Sequence, residues 1–150
     1  MGLKLYLPIA VMVFAAATAG ADVVARTSLA GQLLVAAFQE HLYWAGAALV
    51  GTLLLLAPFG AVAGICALAE RRARTRSVLV IFALAMLALL YVYFQGYQAA
   101  KRAELEHLWT AAALSIGFLP LGIGLAVVSA VTVFGWLATE FDPRASDPGR

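Results

Sequence analysis

The sequence predicts an all-α integral membrane protein: a four-transmembrane-helix bundle built as two helical-hairpin repeats. Three observations predict it. The 150 residues are 64% hydrophobic and only 12% charged, about half the ~25% charged share of soluble proteins, and mean hydropathy is +0.94. Four apolar runs, each close to or above the ~20 residues that a bilayer core requires of a helix, punctuate the chain. Finally, two of these runs open with the same Glu-His-Leu signature. A soluble domain of this size could not hide so much apolar surface, which excludes soluble, disordered, collagenous and coiled-coil classes.

The first run, 5–21, follows Lys4 and ends at Ala19-Gly20-Ala21 before Asp22. Its length just suffices to span, so it reads as a retained helix; a cleaved signal peptide is the alternative. Residues 22–41 then form the longest loop, with apolar residues at near-helical spacing and Gly31 interrupting them. They are expected to lie on the surface as a helix or to extend the second span. The second run, 42–69, and the fourth, 108–137, exceed what a membrane needs and must tilt or bend. Pro58 and Pro120 are the expected kink sites. The third run, 77–97, is rich in Leu, Phe, Met and Tyr and is expected to face lipid. The helix-forming stretch 99–107 should prolong the third or fourth helix. Residues 1–141 thus read as one four-span domain and 142–150, with two prolines, as a polar tail.

Seven of the ten Lys and Arg fall on the side of the termini and of the second-to-third loop. The positive-inside rule therefore predicts a plasma (inner) membrane protein with both termini cytoplasmic. Arg71, Arg72, Arg74 and Arg76 dominate that count. They anchor orientation, and they are also the candidate contacts to anionic lipid headgroups. The net charge of +2 and the lack of a basic stripe exclude nucleic acid as a partner. One cysteine, Cys66, excludes a disulfide framework or a CxxC site.

The repeat joins Glu40-His41-Leu42-Tyr43-Trp44 to Glu106-His107-Leu108-Trp109, each followed by small residues and later by a proline with a glycine close behind. Both histidines of the chain lie in it. As helix starts, these motifs suit the dipole and the interface. As chemistry, His41 and His107 with Glu40, Glu104 and Glu106 are the candidate metal ligands, since imidazole and carboxylate suit zinc, iron or manganese. Glu104 and His107 share a helix face at i, i+3. A b-type haem held between the two histidines is the second form of that idea, and a pH-sensitive switch the third.

Helix packing is expected at the GxxxG of Gly60 and Gly64. The polar residues inside the runs (Thr52, Gln95, Thr110, Ser115, Ser129 and Thr132) have no charged or histidine partner in their own span, so no catalytic residue is expected. The absence of an ionisable residue inside the runs argues against proton-coupled transport. The reading that remains is a non-enzymatic component or scaffold of a membrane assembly, holding no cofactor and packing against other membrane proteins or itself. A metal- or haem-binding membrane protein and an oligomeric neutral channel or transporter subunit are the alternatives.

Overall fold

The computed structural model describes residues 2–140; the tail expected at 142–150 lies outside the described residues. The described chain forms five helices: α1 (Leu3–Ala30), α2 (Leu34–Ala47), α3 (Leu49–Ala69), α4 (Thr75–Leu105) and α5 (Trp109–Glu140). All but α2 are long and apolar enough to cross a membrane.

Helix α1 does not stop at residue 21. A π-helical turn at Ala16–Gly20 passes directly into a further α-helical stretch. There Asp22 and Arg26 pair at i, i+4, which supports the extension. The helix ends at Gly31, whose φ of 66° is left-handed; Gln32 turns its N–H back to the Arg26 carbonyl. Helices α2 and α3 would be one helix but for Ala48 (φ −105°, ψ 42°). The Thr52 hydroxyl donates to the Ala45 and Ala48 carbonyls at 3.1 and 3.2 Å and so satisfies groups at the break. At Pro58, an expected kink site, α3 stays helical and passes through the proline without a break. In α5 the irregular turn, Leu114–Phe118, stands just before Pro120. Proline lacks the N–H that would bond the Ile116 carbonyl, and the wider turn accommodates the loss.

The helices pack antiparallel in sequence. Gly2 N–H donates to Glu70 at 2.8 Å, which sets the start of α1 beside the end of α3 at one end of the bundle, here called basal. Gln98 donates to the Ala21 carbonyl at 3.3 Å near the other, distal end. Buried aromatic side chains from α1, α3 and α4 form the core. Tyr6 meets Phe82 edge-on at 4.8 Å, and Phe59 meets Phe14 at 5.4 Å and Tyr93 at 5.0 Å. The Tyr93 hydroxyl finds the Leu55 carbonyl at 2.8 Å.

One expectation about packing is corrected by the structure. The third run does not turn away from the protein: α4 carries Val78, Phe82, Met86, Leu89 and Tyr93 into the core on one face, while α5 is the least buried of the four long helices. Large aromatic side chains fill a four-helix core better than small ones can. At Gly60 and Gly64 a Cβ would meet nothing of this chain within 4 Å; close helix approaches within the chain lie at other glycines. They occur at Gly124, where a Cβ would come within 2.8 Å of the Pro58 ring, and at Gly96, where it would come within 2.6 Å of the Ser115 carbonyl and 2.9 Å of the Pro120 ring. Pro58 and Pro120 thus each pack against a glycine on a neighbouring helix.

These irregularities shape the distal half. Below, α3 packs along α5; above the break at Ala48 and the irregular turn of α5, α2 and the start of α5 make no extended contact. The bundle therefore splays on this side and leaves a cavity.

Candidate functional site

Burying a charge in a low-dielectric interior is costly unless it is paired. Asp22, Arg26 and His41 are nonetheless all buried, at 8%, 9% and 8% exposure. Asp22 sits nineteen residues beyond Leu3, about 28 Å along the helix and close to the thickness of a bilayer core. The cluster therefore belongs to the distal end, where apolar core gives way to interface.

The pairing is dense. Arg26 Nε donates to both Asp22 carboxylate oxygens at 3.0 Å, and a terminal guanidinium nitrogen of Arg26 bonds Glu40. Gln32 adds a 3.2 Å bond to the Glu40 carboxylate. On the other side, His41 Nδ1 lies 3.0 Å from Asp22 Oδ2. A carboxylate can only accept, so Nδ1 carries the proton, and in the neutral ring Nε2 is then the lone-pair acceptor. Among the described residues nothing bonds Nε2. Asp22 is thus the hub that holds an arginine and a histidine at once, on a helix that meets α2 only because of the Gly31 turn.

The hydrogen bond from Arg26 holds the Glu40 carboxyl below its ordinary range. The folded value is the lower one, so this contribution to stability is complete above the unfolded carboxylate value of ~4.3 and disappears as pH falls through the folded value. Thermal unfolding in detergent should show a melting-temperature gap between wild type and Glu40→Gln at pH 7 that closes as pH falls through the folded value. A gap that persists unchanged at low pH would refute this role for the pair.

The cluster forms the polar end of a cavity of about 680 Å³ between all four long helices and α2. Asp22, Arg26, Glu40, His41, Tyr97 and Glu104 line that end. Phe14, Leu55, Ile116 and Leu121 line the apolar depth, and Gly51 and Gly117 leave room where side chains would otherwise intrude. Trp44, Leu54 and Phe118 stand at its open side with more than half of their surface exposed. A side-open apolar recess with one charged end is the form of a site for an amphiphilic molecule.

No protein family, curated protein or solved structure matches the chain.

Of the five candidate metal ligands, His41, Glu40 and Glu104 line this one cavity. Glu104 is bound by Lys101 at 2.9 Å. His107 and Glu106 are not among its lining residues. They form the turn that ends α4, where His107 takes a φ of 59° and its N–H bonds the Glu104 carbonyl. The next N–H, of Leu108, bonds the Ala103 carbonyl, which completes a helix-stop motif. The two Glu-His-Leu segments therefore differ in conformation: His41 is inside α2, whereas His107 occupies the left-handed position that Gly31 occupies after α1. Among the described residues no group of three or more His, Cys, Asp and Glu side chains is placed to hold a metal ion. Arg71, Arg72, Arg74 and Arg76 are all exposed at the basal turn.

Asp22, Arg26 and Tyr97 are the site residues that sequence reading missed. A usable signal existed: Asp22 and Arg26 are one helical turn apart with a glycine stop five residues on, which extends the first helix and brings both charges inside it.

Proposed function

We propose that this protein is a non-enzymatic membrane component whose working part is the distal cavity, where it binds a small hydrophobic molecule by its apolar body and a polar end. The observation that carries this reading is the join of apolar depth to the buried Asp22–Arg26–His41 cluster in one cavity. A group as costly to bury as this triad is not needed to pack a helix bundle, but it suits recognition of a polar group at the edge of a membrane. The distribution of Lys and Arg supports a plasma (inner) membrane setting with cytoplasmic termini, which makes the cavity's polar end the outer one. Exposure of the four basal arginines supports contact with anionic headgroups. The open notch at Gly60 and Gly64 supports assembly with another membrane helix, from a second protein or a second copy.

The test is to fill the cavity. Gly51→Leu combined with Gly117→Leu places bulk where a Cβ meets nothing within 4 Å, and leucine is also the better helix former. Protein purified from its host membrane is extracted with organic solvent and the extract analysed by mass spectrometry. Wild type should yield a small molecule at about one per chain, well above its abundance in bulk lipid, that is missing from an equally stable filled variant. Identical extracts from the two would sink the reading.

A second reading rests on His41. Metal-bound histidines characteristically donate their other ring nitrogen to a carboxylate, as His41 does to Asp22. A transition metal or b-type haem on Nε2 predicts a metal or a visible absorption band in protein purified without a His tag, lost in His41→Ala. His107→Ala should leave it intact, because His107 does not line the cavity.

A further inference from the structure

The polar end of the cavity is not chemically neutral. Three carboxylates line it (Asp22, Glu40 and Glu104) against one guanidinium, Arg26. Arg26 is engaged by both Asp22 and Glu40. Lys101 neutralises Glu104 from outside the lining set, so with the His41 ring neutral one negative charge remains in excess. Hydrogen-bonding capacity points the same way. With its Nδ1–H committed to Asp22 and only 10% of its side chain exposed, a neutral His41 offers Nε2 as an unpartnered acceptor. Glu40 keeps 41% of its side chain open and can accept further bonds. The rings of Trp44 and Tyr97 line the same region, and aromatic faces attract cations. An anionic headgroup would meet repulsion there and would find acceptors where it needs donors.

We propose that the cavity binds a hydrophobic amine in its ammonium form, with the charged nitrogen against Glu40 and His41 and the apolar body between Phe14, Leu55 and Leu121. This rests on the cavity reading above and adds the ligand's charge and hydrogen-bonding sense.

The experiment uses three probes that share one ten-carbon chain: decylammonium, decanol and decanoate. Their binding to the full chain in phosphatidylcholine nanodiscs is measured at pH 7 by calorimetry, with empty discs subtracted. Decylammonium should bind at least about tenfold more tightly than decanoate, with decanol between them, and added salt should narrow the gap. Glu40→Gln should weaken the amine several-fold and leave decanol unchanged. Gly51→Leu with Gly117→Leu should abolish binding of all three. If decanol or decanoate binds best, the ammonium inference is overturned while the cavity stands. If all three probes bind no better than to empty discs, or bind the filled variant equally, the cavity reading itself fails. The ranking on wild type needs no variant to fold. Loss of the amine signal in discs containing phosphatidylethanolamine would assign the ammonium to a lipid headgroup, and retention would assign it to a free amine; either agrees with the proposal.

Discussion

Asp22→Ala is expected to destabilise the protein by about 3–5 kcal/mol, the range for stripping one partner from a buried ion pair. The change leaves the Arg26 guanidinium, nine-tenths buried, with only the half-open Glu40 as counter-charge. It also removes the acceptor of His41 Nδ1. Thermal unfolding in a mild detergent, followed by circular dichroism, reads the effect as a large fall in melting temperature. The informative companion is Asp22→Leu with Arg26→Met. Replacing a whole buried pair by apolar groups of similar size is close to neutral, so this variant should recover most of the loss. It should not recover all, because His41 remains unpaired, at a cost of about 1–3 kcal/mol. A single variant as stable as wild type, or a double variant worse than the single, would show that Asp22 is not the hub of the cluster.

The second large effect is steric. Gly96→Ala drives a methyl group to 2.6 Å from the Ser115 carbonyl oxygen and 2.9 Å from the Pro120 ring. Neither neighbour is a flexible side-chain end. Overpacking of this kind costs about 1–3 kcal/mol, and here it pushes apart α4 and the irregular turn of α5 that forms one wall of the cavity. Gly60→Ala and Gly64→Ala serve as controls, since their Cβ atoms meet nothing within 4 Å and alanine is the better helix former by about 1 kcal/mol. The controls should be neutral or stabilising in the isolated chain. If Gly96→Ala melts with the controls, the close approach of α4 and α5 is not part of the folded protein. If a control instead loses an oligomer on size exclusion, the Gly60–Gly64 notch is where a second helix packs.

Much of this was written in local sequence. Apolar run length depends only on the chain and the thickness of a bilayer, so the class and the four long helices could be read directly. The same is true of the arginine turn between α3 and α4; the helix formers of 99–107 are expected to prolong the third or the fourth helix, and the structure gives 99–105 to α4. The end of α1 was legible in principle: Asp22 looks like the end of a hydrophobic run, yet its partner Arg26 one turn later and Gly31 beyond mark a continuing helix. Hydropathy alone registers a charge as an exit from the membrane, and it cannot register that another charge will bury beside it.

What only the tertiary structure decided is where separate elements meet. Pro58 and Pro120 announce a lost backbone bond, but their use as ridges in the notches of Gly124 and Gly96 depends on a neighbouring helix. The repeated Glu-His-Leu segments share letters and differ in fate, because His41 falls inside α2 opposite Asp22 while His107 terminates α4. Composition and periodicity report how each helix divides its surface between apolar and polar. The cavity arises from two breaks, at Ala48 and at Leu114–Phe118, that splay helices which otherwise pack side by side, and that coincidence of breaks at one level of the bundle is a property of the packed helices together.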